Sequence, residues 1–70
     1  MEKISISTEY IKLDQFLKWV GIVDSGTDAK FVIQSGEIKV NKEVELRRGR
    51  KLYPEDVVSF EGKEYKVTTL

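Results

Sequence analysis

The residues best suited to chemistry in this 70-residue sequence are four cations in the five positions from Arg47 to Lys51, interrupted only by Gly49. Arginine binds phosphate oxygens through two parallel hydrogen bonds, and lysine adds a compact positive charge. The glycine lets the backbone approach a ligand closely and offer its own N–H. The segment therefore predicts binding of nucleic acid or another polyanion. The alternative is a solvated loop whose cations neutralise Glu43 and Glu45 nearby.

The charges of the chain are unevenly distributed, although the formal net charge is zero. From Lys39 to Lys51 there are six cations and two anions, giving +4, whereas the other residues carry six cations and ten anions, giving −4. Such a split predicts a dipolar protein that turns one side toward an anionic partner.

The composition argues against an enzyme. Cysteine and histidine are both absent, which excludes disulfides, thiol nucleophiles, histidine bases and the usual zinc or haem ligands. The carboxylates show neither the spacing of an acid/base pair nor that of a metal site. No apolar run approaches the roughly 20 residues of a membrane span, and the first five residues lack the plan of a secretory signal. We expect a cytoplasmic protein with no cofactor, no metal and no small-molecule substrate.

The elements that position the basic segment follow from the period of the apolar residues. Ile4 and Ile6 alternate with polar neighbours and predict a strand over residues 3 to 7. A helix then runs to about Val20, and Gly21 ends it. Its apolar stripe, spaced for one helical face, is Leu13, Phe16, Leu17 and Val20.

A second helix is predicted after a short connection. Ser25 and Asp28 have the spacing of a capping box, in which each side chain satisfies a free backbone N–H at the start of a helix. Gly36 lies just past its end. The stripe of this helix is Ala29, Val32 and Ile33. Because the connection is short, the two stripes should meet.

After Gly36 the apolar period changes to two, which predicts four short strands. Strands with Ile38 and Val40, and with Val44 and Leu46, flank a turn at Asn41-Lys42. The basic segment follows as a loop, and then a second hairpin turns at residues 61 to 63. The order of elements predicts one α+β domain over residues 1–70, a helix pair packed against a small antiparallel sheet.

Two aromatic residues have alternative interpretations. Trp19 shares a flank of the first helix with Lys12 and Gln15, where it would be able to stack on a base, but we favour a role in closing the small core. Phe31 points away from the stripe of the second helix. For Phe31 we favour coverage by the rest of the chain over contact with a partner.

With these elements placed, the sequence resembles the S4 RNA-binding domain. The resemblance runs from Lys12 to about Val58 and is closest to the small stand-alone bacterial members of that family. Its matching residues are Lys12-Leu13-Asp14, Leu17, Gly21-Ile22, Ser25, Ala29-Lys30, Ile33, the run Gly36-Glu37-Ile38-Lys39-Val40-Asn41, and Asp56-Val57.

The resemblance implies the αL motif, in which a helix pair and the following hairpin present a positive face to structured RNA. Gly26 stands where the family usually has arginine, so more of the affinity should come from the basic loop. Lys42 and Glu55 stand where glycine is usual. The predicted RNA-binding residues are Lys12, Gln15, Ser25, Lys30, Lys39, Asn41, Lys42, Arg47, Arg48, Arg50 and Lys51.

The resulting hypothesis is a monomeric, non-enzymatic protein that binds structured RNA, with ribosomal RNA as the candidate target. Four to six phosphate contacts would give a slope of log affinity against log salt of roughly −3 to −5. We expect Arg47 and Arg50 to be exposed, so that reversing both charges abolishes binding and spares the fold. The rival hypothesis is a protein-interaction module that uses Phe31, Trp19 or a sheet edge.

Overall fold

Two helices and seven strands make up the fold in the computed structural model, which describes residues 1–70. In chain order the elements are β1 (Glu2–Ile6), β2 (Ile11–Lys12), α1 (Leu13–Trp19), α2 (Gly26–Gln34), β3 (Lys39–Val40), β4 (Glu43–Val44), β5 (Lys51–Leu52), β6 (Val57–Phe60) and β7 (Lys63–Thr69). Neither helix has the length and apolar character needed to cross a membrane.

The main sheet has five strands in the order β1-β7-β6-β3-β4. Its neighbours pair antiparallel except β1 and β7, which run parallel from Glu2 opposite Tyr65 to Ile6 opposite Thr69. Strands β2 and β5 form a separate two-stranded ribbon. The α+β class is confirmed, and the sheet is mixed rather than purely antiparallel. An apolar period of two fixes which face of a strand is buried, but it carries no information about strand direction.

Helix α1 forms where its apolar stripe predicts, and it buries Leu13, Phe16 and Leu17. The chain leaves the helix through Gly21, which has φ +83. That left-handed conformation is the one that glycine adopts without a steric penalty. The predicted end of the helix is therefore confirmed.

Helix α2 begins at a serine cap. The backbone N–H of Asp28 donates to Ser25 Oγ at 3.2 Å, whereas the reciprocal bond from the Ser25 N–H to the Asp28 carboxylate is not formed. Only the serine half of the predicted capping box is therefore present. Ala29 and Ile33 are fully buried against α1, and the helix ends before Gly36, which has φ +84.

The core lies between the helix pair and the sheet. Phe16 of α1 meets Tyr65 of β7 edge to face, with ring centroids 6.4 Å apart. Each fully buried large apolar side chain contributes about 1.5–3 kcal/mol. The core residues are Ile4, Ile6, Leu13, Phe16, Leu17, Val23, Ala29, Ile33, Ile38, Val40, Leu52, Val58, Tyr65 and Val67.

Both hairpin turns have the backbone that a two-residue type I′ turn requires. Asn41 and Lys42 have φ of 51 and 74, and Glu61 and Gly62 have φ of 49 and 80. The turn predicted at Asn41-Lys42 is confirmed. The second turn contains Glu61 and Gly62 only, because Lys63, predicted to belong to it, is the first residue of β7 and pairs with Phe60. Glu55, with φ 83, is a further non-glycine residue in this region.

Two predictions about large aromatic residues are wrong. Trp19 is 69% exposed and Phe31 is 79% exposed, so Trp19 does not close the core and nothing covers Phe31. The smaller apolar residues of the two helix stripes, together with Phe16 and Tyr65, already fill the space between helices and sheet. Size alone therefore did not require these two rings to be buried.

The alternation after the first hairpin turn is also reversed. Val44 and Leu46, predicted on the apolar face of a strand, are 53% and 55% exposed, while Glu45 between them is buried. Strand β4 ends at Val44, and the Glu45 N–H donates to the Ile38 carbonyl at 3.0 Å. This bond turns the carboxylate inward, where two arginines meet it.

Candidate nucleic-acid interface

The ribbon of β2 and β5 joins the basic segment to the start of α1. Lys12 lies directly opposite Lys51 in this antiparallel pair, so residues far apart in the sequence become neighbours. The predicted loop is therefore loop only from Arg47 to Arg50, since Lys51 belongs to a strand.

The loop also caps α1 through its backbone. The N–H of Leu13 donates to the Arg50 carbonyl at 2.8 Å, and the N–H of Asp14 donates to the Arg48 carbonyl at 3.0 Å. The first N–H groups of a helix lack partners within the helix, so such bonds satisfy groups that would otherwise need water or a side chain. The backbone of the basic loop is consequently held against α1, although its side chains lie at the surface.

Glu45, which precedes the loop, binds two of the arginines in it. Arg47 donates to it from Nε at 3.1 Å, from Nη2 at 3.3 Å and from its backbone N–H at 3.1 Å. Arg50 Nη1 donates at 2.7 Å to Oε1, the oxygen that also accepts from Arg47 Nη2. The Glu45 side chain is only 9% exposed. We call Glu45, Arg47 and Arg50 the carboxylate clamp.

The contacts of the clamp shift the pKa values of Glu45 and Arg47. The hydrogen bond from Arg47 is the largest cause that lowers the pKa of Glu45 to about 2, and the bond from Arg50 adds to it, although burial acts in the opposite direction. The same contact with Glu45 raises the pKa of Arg47. Glu45 and Arg47 are therefore both charged at neutral pH.

The clamp agrees in part with the alternative hypothesis, in which the cations of the loop neutralise Glu43 and Glu45. Glu45 pairs with Arg47 and Arg50, whereas Glu43 forms no ion pair. The side chain of Arg47 remains 75% exposed, but that of Arg50 is only 31% exposed. The expectation that both arginines are freely exposed is therefore wrong for Arg50. Reversing both charges would place two new carboxylates beside a buried one and would disturb the fold.

Three cations at the same end of the molecule have no acidic partner. Lys12, Arg48 and Lys51 are exposed and form no ion pair. Arg48 lies between the two clamped arginines, and its carbonyl contacts the first turn of α1, next to Lys12. We call these three residues the ribbon cluster. They provide positive charge that is available to an external anion.

Several other predicted residues have structural roles or acidic neighbours. The side-chain amide of Asn41 donates to Asp56 Oδ1 at 3.1 Å and accepts from the Val57 N–H at 2.9 Å, so it ties the first hairpin to β6. Ser25 caps α2 through its hydroxyl. Gln15 and Lys30 are exposed on the helices.

Lys39 and Lys42 line a shallow depression beside β3 together with three carboxylates, Glu37, Glu61 and Glu64. These carboxylates oppose the binding of an anion at that place. The structure thus brings Lys12 to the basic loop, and it gives Lys39 and Lys42 a mixed environment instead of a continuous positive one.

Two tyrosines next to the ribbon cluster, Tyr10 and Tyr53, were not predicted as site residues from the sequence. Their ring centroids are 5.9 Å apart with a 47° angle between the planes, and Lys51 Nζ lies 4.8 Å from the centroid of Tyr10. The available signal was a mirrored pattern: Tyr10-Ile11-Lys12 reads aromatic, apolar, cation, and Lys51-Leu52-Tyr53 reads the reverse. Antiparallel pairing brings equivalent positions of such segments together.

Comparison with known proteins decides the family. Residues 4–68 match the family model described as the S4 domain. The chain belongs to the S4 domain family. The resemblance drawn from the spaced residues between Lys12 and Val58 is thereby confirmed.

Individual S4-domain proteins are similar over most of their length. The chain is 52% identical over 59 residues to the probable ribosome maturation protein RlbA of Bacillus subtilis (strain 168), covering 84% of this chain and 83% of that protein. It is 36% identical over 58 residues to the putative RNA-binding protein YbcJ of Escherichia coli (strain K12), covering 83% of each. The solution structure of YbcJ, described as revealing an αL motif involved in RNA-binding, superposes with a TM-score of 0.73 at 33% identity, covering 99% of this chain and 89% of that one.

The departures of this S4 domain from the family pattern have structural consequences. Lys42 and Glu55, which replace the usual glycines, both have φ values that favour glycine. Glu55 Oε2 forms an ion pair with Lys66 Nζ at 2.6 Å. Gly26, in place of the usual arginine, is the first residue of α2 and adds no cation.

Proposed function

We propose that this S4 domain binds structured RNA without catalysing a reaction. The observation that carries the proposal is the ribbon cluster: Lys12, Arg48 and Lys51 lie together where the basic loop caps α1, and none of them has an acidic partner. The family and the RNA-binding description of YbcJ support it.

The chemistry of the site suits phosphate groups. The Arg48 guanidinium is able to donate two hydrogen bonds to one phosphate, while Lys12 and Lys51 attract the neighbouring phosphates. The two hydrogen bonds from α1 to the loop carbonyls fix the backbone before binding. A preformed loop loses less conformational entropy on association than a mobile one.

Ribosomal RNA is the proposed target class, since the relative with 52% identity is described as a probable ribosome maturation protein. This target implies a cytoplasmic protein, and we propose that it acts as a monomer. Crosslinking the protein to RNA in cells and sequencing the attached fragments tests the target. Enrichment of fragments from ribosomal RNA over other structured RNA is expected, and enrichment of an unrelated class would contradict it.

The binding site is tested by titrating a labelled RNA hairpin with the Arg48→Glu variant. Loss of one phosphate contact and the added repulsion should weaken binding by about tenfold or more at roughly 0.1 M salt. Lys63→Glu is the matched control, because it makes the same change in net charge at an exposed position of β7. An equal loss in both variants, or no binding by the unaltered protein, would contradict the proposal.

A second candidate function is protein recognition, which the exposure of Phe31 favours. This ring is 79% exposed on α2 beside Lys30, Thr27 and Gln34. If α2 is a protein-binding face, Phe31→Ala will reduce capture of a ribosomal or assembly protein and leave hairpin binding unchanged. A reduction in hairpin binding alone would assign this ring to the RNA.

A further inference from the structure

The tyrosine pair at the ribbon forms a small aromatic surface within the cationic end of the molecule. Tyr10 immediately precedes β2, and Tyr53 immediately follows β5. Lys12 and Lys51 are direct cross-strand partners, and each tyrosine lies two positions along the chain from one of these lysines. Tyr10 is the one aromatic residue of the chain that has a cation over its ring.

The Tyr10 and Tyr53 rings differ in how much of their surface is available to a ligand. Lys51 Nζ lies 4.8 Å from the centroid of the Tyr10 ring and occupies that face. Tyr53 is 43% exposed and contacts no aromatic ring other than Tyr10. Neither tyrosine hydroxyl hydrogen-bonds to another group of the chain. Tyr53 therefore offers a partly exposed ring and a hydroxyl without a partner.

The backbone at Tyr53 is fixed although its ring is open. The Tyr53 N–H donates to Asp56 Oδ2 at 2.8 Å, and the Tyr53 carbonyl accepts from the Asp56 N–H at 3.0 Å. With the backbone held, only two side-chain torsions remain to be ordered when the ring makes a contact. A rigid aromatic surface of this kind gains contact area at a small cost in conformational entropy.

The core does not require the Tyr53 ring. Tyr65 is 7% exposed and packs against Phe16, whereas Tyr53 lies outside the cluster of buried residues. A partly exposed ring next to the strands that carry Lys12 and Lys51 matches the sites at which unpaired bases stack while cations hold the adjacent phosphates.

We propose that Tyr53 stacks on an unpaired base of the bound RNA, while Lys12 and Lys51 hold the flanking phosphates. The inference rests on the proposed function, and it adds the ligand class: structured RNA in which at least one nucleotide next to a helical segment is unpaired. The unpaired nucleotide would lie at the ribbon, next to the N-terminus of α1.

Two synthetic RNA hairpins test the proposal. They share one stem and carry a 3′ tail of about four nucleotides, which are adenosines in one hairpin and abasic residues in the other, so that only the bases differ. Stacking of one base contributes about 1–3 kcal/mol, so the unaltered protein should bind the adenosine tail roughly 5- to 150-fold more tightly. Tyr53→Ala should lose this preference and keep its affinity for the abasic hairpin.

Two further variants make the result specific. Tyr53→Phe should retain the preference, because the ring and not the hydroxyl stacks. Phe31→Ala removes a more exposed aromatic ring, which lies on α2 beside Thr27 and Gln34 and not at the ribbon, so it should also retain the preference. Circular dichroism should show that all three variants keep the fold, since both positions are exposed.

The outcomes separate this inference from the proposed function. Equal binding of both hairpins by the unaltered protein would overturn the stacking role and leave RNA binding intact. A preference that survives Tyr53→Ala, or that Phe31→Ala abolishes equally, would place the stacking ring elsewhere. Failure to bind either hairpin would overturn the proposed function, and the inference with it.

Discussion

At the scale of single residues, Glu45 determines which cations of the basic loop face solvent without a partner. It holds Arg47 and Arg50 through four hydrogen bonds, while Arg48 between them makes no ion pair. An arginine engaged by a carboxylate must give up that contact before it binds a phosphate fully. We therefore propose that Arg48 is the arginine of the loop that would bind an external anion at the lowest cost.

The pKa of Glu45 predicts how stability responds to acid. Because the pKa is about 2 in the folded protein and ordinarily 4.5, the unfolded chain binds a proton more readily. The stabilisation is complete above about pH 4.5 and is lost as the pH falls toward 2. Urea unfolding between these values should show a decrease in the free energy of unfolding that is smaller in Glu45→Gln. Identical pH profiles would contradict the clamp.

Reversing the charge of Arg50 should destabilise the fold, whereas reversing that of Arg48 should not. The Arg50 guanidinium lies 2.7 Å from the Glu45 carboxylate and is only 31% exposed, so glutamate there would face another carboxylate. We expect Arg50→Glu to lower the free energy of unfolding by about 1–3 kcal/mol, and Arg48→Glu to change it by less than about 0.5 kcal/mol. Urea denaturation of both variants measures the difference. Equal stability would show that the clamp contributes little.

At the scale of elements, the two type I′ turns are equivalent in backbone but not in sequence. Asn41-Lys42 has a lysine where Glu61-Gly62 has a glycine, and both second positions have positive φ. A Cβ added to Gly62 would meet no neighbouring atom within 4 Å. The difference between the turns is thus one of backbone conformation alone.

Exchanging the second turn residues should change stability in opposite directions. A side chain in the left-handed region costs about 1 kcal/mol, so Lys42→Gly should raise the free energy of unfolding and Gly62→Lys should lower it by about that amount. In a domain of this size each change corresponds to a shift of about 4–8 °C in Tm. Thermal unfolding checks both. A fall in Tm for Lys42→Gly would mean that the lysine side chain makes a stabilising contact.

The longer elements were predictable because their signal repeats along the chain. Helix α1 has its apolar stripe and a glycine stop, and the second hairpin has Gly62 between two alternating segments. The ribbon was not predictable, since strands of two residues contain no full period. Glu45 was placed on the wrong face because its burial depends on arginines that lie two and five positions later, and a local pattern of alternation ignores such partners.

At the scale of the whole molecule, seven of the twelve cations, those of residues 39–51 together with Lys12, divide into three groups with different availability. The ribbon cluster is free, the clamp is engaged, and Lys39 and Lys42 lie among carboxylates. The charge asymmetry and the family were predictable from the sequence. The division of the cations was not, because it depends on how the chain folds around Glu45.

This division predicts a weaker dependence of RNA binding on salt than the number of cations in the sequence suggests. Three free cations give a slope of log affinity against log salt of roughly −2 to −3, compared with −3 to −5 when the clamped arginines also bind phosphates. Glu45→Gln should steepen the slope, because it releases Arg47 and Arg50. Anisotropy titrations at several salt concentrations measure both slopes. A slope in the unaltered protein as steep as in the variant would show that the clamp opens on binding.

The parallel pairing of β1 with β7 has a consequence for how the chain is made. Its partners are far apart in sequence: Ser5 and Thr68 are 63 positions apart, and their hydroxyls are 3.2 Å apart. During synthesis β1 leaves the ribosome first, yet its only hydrogen-bonding neighbour in the sheet is the last strand to emerge. Ile4 and Ile6 therefore lack their final packing partners until the whole domain has been translated. The sheet is completed only after β7 has left the ribosome, and it does not form one strand at a time in chain order.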